Sequence, residues 1–207
     1  MAASSKGIDR SDADYQHEVD QLTRAFAAVD DLIASIRPEQ WSALTPCSEW
    51  TVRRLVAHLI GMNRVFVALL NDEPMPRLAG APPVEADPVG TFRDSAVALR
   101  AAFDQPGVLE RTYVGPLGAA TGSERLQIRL YDLLAHGWDL ARATGQPTAL
   151  PEDLAEQALR FVRNQLTDEA RPGRFAPAQC ASDDAPAIER LAAFLGRPVE
   201  ARRPAAQ

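Results

Sequence analysis

Arg129-Leu130-Tyr131-Asp132-Leu133-Leu134-Ala135-His136-Gly137-Trp138-Asp139 has the spacing of a helix that carries a carboxylate and an imidazole four residues apart. That spacing puts Asp132 and His136 on one helical face, one turn apart. Asp139 follows three residues after His136 and falls near the same stripe. Leu126, Leu130, Leu133, Leu134, Leu140 and Ala141 surround the stripe, so the pattern predicts a mostly buried helix from Ser123 to Thr144, with Gly145 as its C′ residue. Two ionisable side chains on so apolar a helix need a reason, because a buried charge is costly unless paired or metal-bound. The reading is that they bind a divalent metal. The competing account is a simple carboxylate–imidazolium pair, worth about 0.3–0.5 kcal/mol if exposed.

Working outward, apolar positions at helical spacing from Tyr15 through Val19, Leu22, Phe26, Val29, Leu32, Ile33 and Ile36 predict a first helix that stops before Pro38. His17 lies on its polar early turn and reads as a surface histidine. Thr51 is a sound N-cap for a second helix running from Val52 to Leu70. His58 sits in its first half among apolar neighbours, as a hydrogen-bonded core residue or a ligand. Residues 71–90 hold five prolines and no periodicity, and read as a lid, a binding loop or a mobile surface loop. Phe92 to Phe103 predicts a third helix, and 108–121 a short extended piece. Pro151 at the first helical position opens a helix to Leu166. A loop over 171–184 and a short last helix from Pro186 to Leu195 complete the chain. The sum is an all-α domain, an antiparallel bundle of four main helices with additions. The expected division is a disordered N-terminus over 1–10, one domain over 11–198 and a flexible tail over 199–207.

Composition bounds the function. With 22 Lys and Arg against 28 Asp and Glu, the net charge is −6, which argues against a nucleic-acid surface. No apolar run approaches the ~20 residues a membrane span requires. The N-terminus has no apolar stretch of a secretion signal, and the two cysteines, Cys47 and Cys180, are expected as reduced thiols in a cytoplasm.

His58, Asp132 and His136 together would supply two imidazole nitrogens and one carboxylate oxygen. That set suits Zn²⁺ and its neighbours and leaves a coordination position open. Met62 and Phe66, one and two turns along the face of His58, could wall a substrate or simply pack the core. Arg125 and Arg129, on the Asp132 stripe, could anchor an anionic substrate or partner a carboxylate. Cys47 could be a near-site thiol or a buried structural one, and Trp50 and Trp138 read as packing residues. Asp139 stands as a supporting or substitute carboxylate.

Thr45-Pro46-Cys47-Ser48-Glu49-Trp50-Thr51-Val52, followed by Leu55-Val56-Ala57-His58-Leu59, resembles the opening of the second helix in the DinB-like, mycothiol-dependent maleylpyruvate isomerase N-terminal superfamily. Asp132 through Gly145 is similar to that superfamily's second metal motif. The His-Gly-Trp-Asp-Leu-Ala run and the ending Phe194-Leu195-Gly196-Arg197 resemble an actinobacterial metal-binding branch. The resemblance spans Tyr15 to Pro198. It implies a DinB-like four-helix bundle holding zinc or nickel through His58, Asp132 and His136, with mycothiol as cosubstrate and a homodimer as assembly. Two departures stand out. The thiol-dependent isomerases typically carry Glu where this chain has Asp132. They also carry a separate C-terminal domain, for which the residues after Leu166 are too few, so maleylpyruvate isomerisation itself is not expected to carry over.

The expected function is therefore a metal-dependent enzyme that activates a low-molecular-weight thiol for S-transfer or isomerisation of a small electrophile. The alternative is a non-catalytic metal-binding stress or sensor module acting as a dimer. An Fe(II) oxygenase shares the ligand set, but the resemblance points to a helical bundle instead.

Overall fold

The computed structural model describes residues 12–47, 50–76, 87–115, 118–171 and 175–199. The expectations for the extreme N-terminus, for residues 77–86 of the proline-rich stretch and for the tail from residue 200 lie outside them.

Helix α1 spans Asp12–Ala34, α2 Val52–Leu70, α3 Pro88–Phe103 and α4 Gly122–Thr144. A two-stranded hairpin, β1 (Thr112–Gly115) and β2 (Gly118–Thr121), precedes α4. Helices α5 (Glu152–Gln165) and α6 (Ala187–Phe194) follow it and pack on each other and on α4. The all-α, four-helix architecture with an extra C-terminal helix is the one expected.

Contacts between helices fix their directions. Tyr15 donates its hydroxyl to the Phe103 carbonyl and Arg93 pairs with Asp30 at 2.9 Å, so α1 and α3 are antiparallel. Ser123 donates to Glu18 at 2.7 Å at one end, and Gln146 donates to the Leu32 carbonyl at 3.0 Å at the other, so α1 and α4 are parallel. Helix α2 opposes α4: His58 lies beside His136, Arg129 bonds the Leu59 carbonyl at 3.0 Å, and Leu69 and Arg125 flank Gly115. It follows that α2 and α3 run the same way. Only a long crossover, the segment between Asn71 and Asp87, allows that in a four-helix bundle.

Local chemistry sets the helix ends. Thr51 caps α2 by accepting the Arg54 N–H at 3.3 Å, and α2 has the bounds its periodicity predicts. Helix α3 begins at Pro88 and not at Phe92. Asp87 accepts the Gly90 N–H at 2.9 Å, and a proline at the first position needs no donor of its own. The extended piece is a hairpin with Tyr113 opposite Ala120. Helix α4 starts one residue early, at Gly122. Thr121 accepts the Glu124 N–H at 3.2 Å, and Glu124 accepts the Thr121 N–H at 2.7 Å, a complete capping box. Gly145 ends α4 with φ 67°. Pro151 sits at the N-cap of α5, one position before the expected one.

Gly122 is where the hairpin, the 108–109 backbone and α4 meet. A Cβ there would stand 1.9 Å from the Val108 carbonyl oxygen, which belongs to the backbone and cannot swing away. Gly122→Ala is therefore expected to destabilise the protein by about 1–3 kcal/mol through overpacking. The measurement is the urea midpoint at unchanged denaturant slope.

The core lies between α1 and α4, where Val29, Ile33, Leu130, Leu134 and Trp138 are buried. Gly137 lets the two helices approach: a Cβ there would meet Leu150 at 3.1 Å and Val29 at 3.2 Å. The polar stripe of α4 is thereby turned away from α1, towards α2 and the C-terminal segment.

Candidate metal centre

Helix α2 contributes His58, α4 contributes Asp132, His136 and Asp139, the stretch before α2 contributes Cys47 and Trp50, and the segment after α6 contributes Arg197. One oxygen of Asp132, Oδ1, faces both imidazoles: His58 Nε2 stands 3.6 Å from it and His136 Nε2 3.4 Å. The three donor atoms lie within 4.8 Å of one another. The other Asp132 oxygen, Oδ2, accepts a bond from Arg129.

This donor set fits a small divalent cation. Two ligand atoms at ~2.0–2.1 Å from a tetrahedral zinc stand about 3.3–3.4 Å apart, close to the two distances observed. His58 Nε2 is buried and lacks a hydrogen-bond partner among the described residues. An orphaned buried nitrogen is unfavourable in a resting core and requires an explanation. A cation between the three atoms would supply one.

Electrostatics point the same way. Burial pushes His58 towards the neutral form that binds metals. For Asp132, burial alone would raise the carboxyl, but His136, His58 and Arg129 outweigh it and hold Asp132 well below the usual carboxylate range. For His136, burial favours the neutral ring, but Asp132 and Asp139 outweigh it and raise it above the ordinary imidazole value. The site thus carries a fixed negative charge and one imidazole that a proton and a cation would contest.

Around this centre, Trp50 packs on both imidazoles, with ring centroids 4.7 Å from His58 and 5.9 Å from His136. It is a packing residue, as expected, but what it packs against is the site itself. Asp139 is fully buried and its Oδ2 lies 3.0 Å from His136 Nδ1, on the far side of the ring from Asp132. That places it behind His136 and not among the converging donors. Cys47 forms a second possible donor group with His136 and Asp139. Burial pushes its thiol up to about 11, so it is protonated at neutral pH.

The two arginines on the stripe are turned inward. Arg129 is fully buried and fills the carboxylate-partner role: besides Asp132 it donates to Asn63 Oδ1 at 2.9 Å and to the Leu59 carbonyl. Arg125 is buried too and donates to the Tyr113 and Gly118 carbonyls at 3.0 and 2.5 Å, bracing the hairpin on α4. Neither geometry presents a cation to an anionic substrate. Phe66 is buried in the core and Met62 is half-buried against it. His17 is exposed on α1 and contacts Gln21. Both cysteines are free.

Sequence reading missed Asn63 and Arg197. Asn63 is fully buried and joins Arg129 to Ser95 of α3, to which it donates at 2.9 Å. Its sole signal was a polar residue one turn after Leu59 on a helix that is otherwise apolar there. Arg197 left no signal beyond its place in the terminal motif.

The bundle brings two imidazoles and a carboxylate from facing helices together as a possible metal-ligand group. A family profile described as the mycothiol maleylpyruvate isomerase N-terminal domain matches residues 22–141, and the chain belongs to that family. Among curated relatives, the uncharacterized protein Rv0738 of Mycobacterium tuberculosis (strain ATCC 25618 / H37Rv) is 37% identical over 181 residues, covering 84% of this chain and 93% of the relative. The uncharacterized protein Rv0036c of the same strain is 26% identical over 77% of this chain and 69% of its own length. The crystal structure of the mycothiol-dependent maleylpyruvate isomerase superposes with a TM-score of 0.59 at 15% identity, over 70% of this chain and 67% of that one. That likeness shows the fold. No described helix is long and apolar enough to cross a membrane.

Proposed function

We propose that His58, Asp132 and His136 hold a divalent metal of the zinc or nickel kind, and that the protein adds a small thiol, of the mycothiol class, to a small electrophile. Reversible thiol addition is the step that thiol-dependent isomerisation and thiol transfer share. The observation that carries the reading is the convergence of three donor atoms around a buried, unpartnered His58 nitrogen. Family membership supports the thiol.

A metal at this position would keep a bound thiol as its thiolate, because a coordinating thiol is deprotonated. The chain's own residues do the rest. Asp132 supplies the negative ligand and is itself fixed by Arg129. Asp139 orients His136. The Trp50 indole covers both rings and excludes water from one side. Cys47, protonated at neutral pH, is left out of the chemistry.

The test is metal analysis of protein purified without chelator, combined with a mycothiol-conjugation screen. Stoichiometric metal and conjugation that survives Cys47→Ser support the reading, whereas protein without metal at neutral pH sinks it. The Trp50 cover favours one second reading, a closed metal site in a non-catalytic sensor that works as a dimer. A metal whose coordination sphere is filled by protein atoms alone would select that reading.

A further inference from the structure

Arg197 is the only arginine among the described residues that reaches the far side of the His136 ring. It lies in the segment after α6, where Gly196 turns the chain at φ 88° in a space that admits no Cβ, because Ala176 O would be 2.7 Å away. The Arg197 N–H donates to the Ala192 carbonyl at 2.9 Å, which pins the residue to α6. Its guanidinium forks onto one carboxylate: Nη2 donates to Asp139 Oδ2 at 2.9 Å and Nε to Oδ1 at 3.3 Å. Nη1 donates to the Leu195 carbonyl at 3.2 Å. Arg197 is 8% exposed and Asp139 is 0% exposed.

We propose that Arg197 is a positioning residue for the metal centre, acting through Asp139 on the tautomer of His136. A guanidinium has donors only, so Asp139 meets it as an acceptor in the ionised form. The same oxygen that takes the Nη2 bond lies 3.0 Å from His136 Nδ1. A carboxylate oxygen cannot donate there, so Nδ1 carries the proton. In the neutral ring Nε2 is then the bare nitrogen, on the side where it faces Asp132 Oδ1 at 3.4 Å. Arg197 Nη2 also stands 3.5 Å from Nδ1, but both atoms carry hydrogens and converge on Oδ2, so this contact is no bond between them. An outer carboxylate that fixes the ring of a ligating histidine is a recurrent device of metal sites. Here a cation from the C-terminal segment fixes the carboxylate in turn. The inference rests on the metal reading above, but the proton on Nδ1 does not.

The experiment has two arms on the full chain. In metal-free protein, ¹⁵N-detected NMR of the His136 ring reads the tautomer. In a competition with a chromogenic chelator, zinc affinity is read. At a pH high enough to keep the ring neutral, wild type is expected to show the Nδ1-protonated tautomer alone. Arg197→Gln is expected to show a mixed tautomer and to bind zinc about 10–100-fold more weakly at unchanged helical CD. Adding Asp139→Asn to Arg197→Gln is expected to weaken zinc little further, because the two act in series. An Arg197→Gln protein that folds, keeps the wild-type tautomer and keeps the wild-type affinity overturns the proposal. If that variant does not fold, Arg197→Lys takes its place. It keeps the charge but not the fork, and wild-type behaviour in both arms overturns the proposal. Wild type that binds no zinc refutes the metal reading alone, and the tautomer arm still decides the role of Arg197.

Discussion

His58→Ala is expected to lose its stoichiometric metal while keeping its helical CD signal and its unfolding cooperativity. Nothing among the described residues hydrogen-bonds to His58 Nε2, and Asp132 Oδ1 is 3.6 Å away. Deleting the ring therefore removes no hydrogen bond made by Nε2, only ring packing on Trp50 and a donor from the centre. Metal affinity should fall by more than about 100-fold, the upper end for removal of an outer partner. In wild type, excess zinc should raise stability by about 2.7 kcal/mol at a hundred times the dissociation constant, and this increment should vanish in the variant. A His58→Ala protein with full metal content would show that the ring is an ordinary core histidine. The sign of the pH effect follows from His136. Its neighbouring carboxylates raise it above the ordinary imidazole value, so a proton competes with the cation to higher pH than at a free ring. Metal uptake near neutrality should release protons, and apparent affinity should weaken as the pH falls.

Arg129→Met is expected to be the most damaging single change to stability. Arg129 is fully buried and satisfies Asp132, Asn63 and Leu59 at once. Methionine roughly fills the space but leaves the Asp132 carboxylate without its cation and the buried Asn63 oxygen without its donor. Stranding one member of a buried pair costs about 3–5 kcal/mol. Arg129→Lys should recover little of this, because a single ammonium cannot reproduce the guanidinium's three-way geometry. The loss should appear as a lowered denaturation midpoint in metal-free protein. A variant as stable as wild type would mean that Asp132 is held by something else.

How much of this was legible in the sequence depends on range. The bounds of α2 follow from Thr51 and an unbroken apolar period, both local signals. The start of α3 was misplaced because Asp87-Pro88, a good cap and first position, sits at the end of a run rich in proline. The capping box that starts α4 is written in Thr121 and Glu124, but Thr121 also closes the short extended piece and so reads as its end. The pairing of Asp132 with His136 is an i, i+4 relation and was visible. His58 could be joined to it through the resemblance and the chemistry of the donor set. What could not be read was the inward commitment of Arg125 and Arg129, which depends on carbonyls of other elements. The bond from Arg197 to Asp139 crosses 58 residues, and no local pattern records it.

The Trp50 indole packed against both imidazoles has a practical corollary. It is one of three tryptophans, and the other two have different settings: Trp41 lies under Arg53, and Trp138 is buried on α4 beside Arg142. An open-shell ion such as nickel or cobalt, seated between His58 and His136, would quench the emission of a fluorophore so close to it. A closed-shell zinc ion would leave the emission bright. With a cation bound at the proposed site, Trp50 would serve as a built-in optical gauge of its identity, and replacing Trp50 with phenylalanine would silence that gauge.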